Sequence, residues 1–175
     1  IISGLVGSEM CIRDRAQYHK KYYTNLLINY RYQDLAFLLN TLKQSRLDDG
    51  SVNPFKNNID FEKVGAMGHS MGGGTTYIAM LKNNEVKAGV ALDGWFFGLL
   101  DEDAKTNTKK PFLHMGQEQF LDTSIDGDIN GSKDGKRNFE IYNTILKTNK
   151  ESYGVYIKNS PVSYTHLRAH ETADN

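Results

Sequence analysis

Five residues in the middle of the chain, Gly68-His69-Ser70-Met71-Gly72, have the types and spacing that nucleophilic catalysis asks for. A serine hydroxyl attacks a carbonyl only when a base takes its proton and donors stabilise the oxyanion that forms. A sharp strand-to-helix turn exposes that hydroxyl and brings neighbouring backbone close, which glycines two before and two after the serine permit. Gly73 and Gly74 extend the clearance into the helix. The amide of Met71, directly after the serine, would face the carbonyl oxygen as one oxyanion donor, helped by the positive end of the helix dipole. With 16 glycines in 175 residues such a pentapeptide arises by chance in roughly one chain in ten, so its surroundings must decide. An apolar strand runs into the turn, a helix leaves it, and a second strand ending in Asp93 follows.

Asp93 closes that strand at the carboxyl edge, where sites of open α/β sheets gather. A carboxylate there accepts a bond from a histidine ring and stabilises its protonated form. The plain alternative is a turn aspartate ahead of Gly94, and an acid after a later strand would be Glu118 or Asp122. Among the histidines, His69 points away from the nucleophile's face of the turn, His114 reads as packed inside a strand, and His19 reads as solvated beside Lys20 and Lys21. His166 and His170 lie near the C-terminal end. Asp126-Gly-Asp128-Ile-Asn130-Gly131 imitates the start of a calcium loop with Asp134 in ninth place, but the twelfth place needs a bidentate glutamate and holds Arg137. No Cys/His cluster has zinc spacing and no glycine-rich phosphate loop occurs, so neither metal nor cofactor is expected.

The elements that must position these residues follow from periodicity. Leu35, Leu38, Leu39 and Leu42 make one apolar helix face, placed at about Tyr18 to Arg46, and a polar loop runs from Asp48 to Asp60. A short strand at Lys63 to Met67 leads to the turn, and Met71 to Lys82 reads as the helix beyond it. Val86 to Leu92 and Pro111 to Met115 are the next strands. Phe139, Tyr142 and Leu146 share a face of a helix at about Lys136 to Lys147, and Tyr153 to Ile157 is the last strand. Strands separated by helices imply an α/β class with a parallel sheet and right-handed crossovers. Only about four strands are recognisable, which leaves an edge unpaired.

Bulk properties exclude several classes. Lys plus Arg and Asp plus Glu number 21 each, so no net field steers the chain toward nucleic acid or an anionic membrane. No apolar run approaches the roughly 18 residues of a membrane span. The single Cys11 forms no internal disulfide, and the compartment, cytoplasmic or secreted, is not legible. Ile1 to Arg15 and Pro161 to Asn175 show no sustained period and resemble peptides made when sequencing-adapter DNA is translated with a coding region. We read them as non-native segments around one partial domain at 16–160, frayed termini being the alternative.

The stretches IDFEKVGAMGHSMGGGTT, VALDGWFFGL and PFLHMGQEQF, within Ile59 to about Ser160, resemble the platelet-activating factor acetylhydrolase family, lipase-like esterases of the α/β-hydrolase fold. The resemblance implies an incomplete α/β-hydrolase, the C-terminal part of a mostly parallel sheet with flanking helices. It implies Ser70 as nucleophile, Asp93 in preference to Glu118 or Asp122 as triad acid, and Met71 as oxyanion donor. Trp95 and Phe96 would line the acyl pocket, with plain core packing as the alternative. The implied activity is hydrolysis of the short sn-2 acyl ester of a glycerophospholipid, with Trp95, Phe96 and Phe97 offering a peripheral contact to lipid. A family histidine is expected just past Tyr156 to Ser160, where this chain reads Pro161-Val162-Ser163, and His166 falls slightly late. The loop for the second oxyanion amide has no counterpart in Tyr18 to Arg46. The 175 residues alone are therefore expected to turn over little substrate. The rival readings are a broader dienelactone-hydrolase-like or polyester esterase, and an inactive hydrolase-like binding module.

Overall fold

The computed structural model describes residues 20–117 and 133–158. Helix α1 spans Lys20–Lys43 and a short 3-10 turn Phe61–Lys63. There follow β1 (Val64–His69), α2 (Met71–Lys82), β2 (Val86–Leu92), α3 (Asp101–Lys105), β3 (Phe112–Gln117), α4 (Lys133–Thr148) and β4 (Ser152–Ile157). The four strands lie in the order β1-β2-β3-β4 and every pairing is parallel. This is the expected α/β architecture. The segments Ile1 to Arg15 and Pro161 to Asn175, with His19, Glu118, Asp122, Asp126, Asp128, Asn130, His166 and His170, lie outside the described residues.

Parallel register puts aligned side chains on one face. Ala91, His114 and Gly154 align across β2, β3 and β4, and this row is covered by helices. A Cβ on neighbouring Gly89 would lie 2.2 Å from Met80 Sδ of α2, and one on Gly154 would lie 2.0 Å from the Tyr142 hydroxyl of α4. Between sheet and helices sits an aromatic core, with Phe96 edge-on to Tyr77 and Phe112 and stacked on Tyr142 at 6.5 Å between centroids. The alternate row, Met67, Val90, Leu113 and Tyr153, faces the other way. On it the outer residues Met67 and Tyr153 are 72% and 63% exposed, and the central Val90 and Leu113 are half-buried. A parallel sheet ordinarily buries both faces.

Two helix faces differ from the sequence expectation. On α1 the packed stripe is Ile28, Tyr32, Leu35 and Leu39, whereas Leu38 of the expected stripe is exposed. The spacing i, i+4, i+7, i+11 follows the helix period over more turns than the leucines alone reveal. On α4 the buried face is Asn138, Ile141, Tyr142 and Ile145, with Leu146 beside it and Phe139 only half-buried. The face is turned because a polar residue, Asn138, is drawn inside by backbone groups it bonds. The loop from Asp48 to Asp60 is tied back to α1, where Asn53 Nδ2 donates to the carbonyls of Thr41, Leu42 and Gln44. No helix among the described residues is long and apolar enough to cross a membrane.

Candidate active site

β1 ends at His69 and α2 starts at Met71, so one residue makes the whole turn. Ser70 adopts φ 56° and ψ −121°, a backbone state that costs a non-glycine residue on the order of 1–3 kcal/mol and persists only where its neighbours hold it. Three main-chain bonds do so. Ser70 N–H donates to Leu92 O at 2.9 Å, and Ser70 O accepts from Trp95 N–H at 2.8 Å and Gly73 N–H at 2.9 Å. The hydroxyl is not used to cap the helix it precedes.

The glycines around the turn have unequal duties. A Cβ on Gly68 would lie 2.1 Å from Gly72 O, so backbone fills the space that a side chain needs. On Gly72 itself a Cβ would meet nothing within 4 Å. Gly73 abuts the Cα of Gly94, and Gly74 abuts Trp95 O and Ile28. These contacts press α2 against the segment that carries Asp93.

Asp93 also has a left-handed backbone, at φ 50°, a state that aspartate tolerates better than most residues. Its N–H donates to Met115 O at 2.7 Å. Both carboxylate oxygens are held by Gln117, whose main-chain N–H donates to Oδ1 at 3.2 Å and whose side-chain Nε2 donates to Oδ2 at 2.5 Å. Each oxygen retains a lone pair for a further donor. Next in the chain, Gly94 N–H donates to Nε2 of His114 at 3.3 Å. Burial lowers the His114 pKa to about 4, so the ring is neutral at physiological pH and able to accept that bond.

A cleft of about 130 Å³ opens at the carboxyl edge, lined by His69, Leu92, Asp93, Met115, Gly116, Gln117 and Ile157. Every strand of the sheet contributes a residue from its carboxyl end, as expected for an open parallel sheet. His69 is exposed and shares this cleft with Asp93, whereas His114 is 1% exposed within the core. Trp95 is 38% exposed and its ring lies 5.4 Å from that of Phe97. Phe96 is fully buried among Tyr77, Phe112, His114 and Tyr142, and neither Trp95 nor Phe96 lines the cleft. Met71 begins α2, where main-chain N–H groups lack helical partners.

Sequence reasoning missed three side chains. Gln117 sits in the quoted PFLHMGQEQF, two residues past the expected strand end at Met115, whereas β3 runs on to include it. Asn138 and Arg137 lie mid-helix, where a polar residue reads as solvated. Arg137, at the failed twelfth place of the imitation calcium loop, instead donates to Phe97 O at 2.9 Å, Leu99 O at 2.7 Å and Asp101 Oδ1 at 2.7 Å. Among the described residues no group of three His, Cys, Asp or Glu is placed to hold a metal.

A family model described as platelet-activating factor acetylhydrolase, isoform II, matches residues 37–152. A platelet-activating factor acetylhydrolase of Gallus gallus is 31% identical over 72 residues, which are 41% of this chain and 17% of that protein. One of Bos taurus is 32% identical over 69 residues, 39% of this chain and 15% of the relative. The matched stretch thus spans less than a fifth of either relative. Among solved structures, a ferulic acid esterase from Streptomyces cinnamoneus aligns with a TM-score of 0.45 and 22% identity, over 77% of this chain and 32% of the esterase.

Proposed function

Because the chain belongs to the family of platelet-activating factor acetylhydrolase, isoform II, an α/β-hydrolase family, we propose that the whole protein is a serine ester hydrolase with Ser70 as nucleophile and Asp93 as triad acid. The observation that carries this reading is the direct backbone linkage between the two. Trp95 N–H, two residues past the acid, bonds the carbonyl of Ser70 itself, and Ser70 N–H bonds Leu92 just before the acid. Serine turn and acid loop are therefore one piece.

The chemistry runs through an acyl-enzyme. The base is the histidine that the family resemblance places just past Tyr156 to Ser160, not His69; it takes the proton of the Ser70 hydroxyl as Oγ bonds to the ester carbonyl carbon. The carbonyl oxygen gains the electron pair and is stabilised by the Met71 N–H at the start of α2. The tetrahedral intermediate collapses, the alkoxide of the alcohol leaves with the proton from the imidazolium, and the acyl group stays on Ser70. Water, deprotonated by the same histidine, then releases the carboxylic acid and restores the serine. Asp93 orients the ring and stabilises its protonated form. No cofactor takes part in these steps.

The substrate we propose is a glycerophospholipid with a short sn-2 acyl chain, such as platelet-activating factor, as the names of the relatives suggest. The exposed Trp95 is the aromatic best placed to touch such a lipid, while Phe96 serves the core. The test compares hydrolysis of a short-acyl phospholipid with that of a simple aryl ester by the whole protein from the source gene. A strong preference for the phospholipid, abolished by Ser70→Ala, is expected, and Asp93→Asn should lower kcat on the order of 10³–10⁴-fold. Equal rates on both substrates would favour a broad esterase. Activity that survives Ser70→Ala would defeat the serine mechanism.

A further inference from the structure

α4 gives no residue to the cleft, yet it holds the loop that leaves Asp93. Asn138 is 3% exposed, and its amide makes three bonds to that loop. Oδ1 accepts from Phe96 N–H at 2.5 Å and Phe97 N–H at 3.1 Å, and Nδ2 donates to Gly94 O at 3.2 Å. The one remaining residue of Gly94–Phe97 is Trp95, and its N–H goes to the Ser70 carbonyl. The four residues after the acid are thus stretched between one side chain of α4 and the backbone of the nucleophile. An amide is the group for this task, because the loop presents two donors and one acceptor on the same side and a single planar amide satisfies all three. A carboxylate loses the donor, and an aliphatic side chain leaves three buried backbone groups unpaired.

We infer that Asn138 is a positioning residue for the acid, acting through the Gly94–Phe97 loop to keep Asp93 in its left-handed backbone state and its carboxylate at the cleft. The inference rests on the reading of Asp93 as triad acid. Geometry errors of about an ångström at a catalytic group cost on the order of 100-fold in rate, so the side chain matters to turnover beyond its share in stability.

A double-mutant cycle on the whole protein tests it, with hydrolysis of a short-acyl phospholipid as readout. Asn138→Leu is expected to lower kcat about 10- to 100-fold with KM within about threefold, while the protein still melts cooperatively. In the Asp93→Asn background the same substitution should change kcat by less than about twofold, because the group it positions is already gone. Asn138→Asp, which keeps the acceptor, should fall between the two. If Asn138→Leu does not fold, Asn138→Ser, with room for a water, takes its place in the cycle. Fully additive losses would overturn the positioning role and leave the acid assignment standing. A silent Asp93→Asn would overturn both.

Discussion

The serine turn and the acid loop are bonded to each other but are built on opposite principles. The turn is shaped by absent side chains, since backbone occupies the place of a Cβ at Gly68 and again at Gly73. The acid loop is shaped by side chains that arrive from far along the chain, with His114 and Gln117 on β3 and Arg137 and Asn138 on α4. A site can therefore have one half fixed by close-packed backbone and the other by polar side chains from distant elements. The two halves should fail in different ways.

The largest effect is expected at the turn. Gly68→Ala drives a methyl group to 2.1 Å from Gly72 O, with backbone on both sides of the clash. Destabilisation of about 4 kcal/mol or more is expected, read from denaturant midpoints of the whole protein. A loss below about 1 kcal/mol would show that the turn relaxes, and would erase the contrast.

Acid should distinguish the halves next. The unfolded chain takes up a proton on His114 near pH 6.5, whereas the folded protein resists until about pH 4. The unfolded state binds more protons in that window, so this contribution to stability is complete above pH 6.5 and is lost as pH falls toward 4. The loss reaches about 3 kcal/mol, at about 1.4 kcal/mol per pKa unit. Protonation also removes the acceptor for Gly94 N–H, so the acid loop loosens before the turn does. Unfolding midpoints of wild type and His114→Phe, compared from pH 8 to 4, should converge with this slope. Parallel curves would exclude His114 as the source.

The smallest effect sharpens the steric half. Gly72 belongs to the pentapeptide, has open space at its Cβ and is not in a left-handed conformation. Gly72→Ala should stabilise the fold by about 0.5 kcal/mol through helix propensity. Destabilisation instead would mean that both glycines of the motif are sterically required.

The same contrast explains what was legible in the sequence. The turn, α2 at Met71–Lys82 and β2 at Val86–Leu92 could be read to the residue, because glycine spacing and apolar period are local signals. β1 was expected to stop before Gly68, yet pairing continues to His69 opposite Leu92, since a neighbouring strand overrides a glycine's weak preference. α3, five residues of DEDAK, is too short to show a period. Asn138 was illegible for a different reason. A polar residue flanked by Arg137 and Phe139 marks Phe139 as the inward position, and only the distant loop, 41 to 44 residues earlier, reverses that choice. Gln117 likewise gains its role from Asp93, 24 residues away.

The seam where main chain meets main chain, Gly68 on Gly72, Gly73 on Gly94 and Gly74 on Trp95 O, also bears on heredity. A crowded side chain can be relieved when its neighbour shrinks, so most core positions drift in pairs. A crowded peptide group has no smaller form, and no second substitution rescues the first. Along this seam the mutational routes are closed. A library for directed evolution should therefore hold 68, 73 and 74 constant.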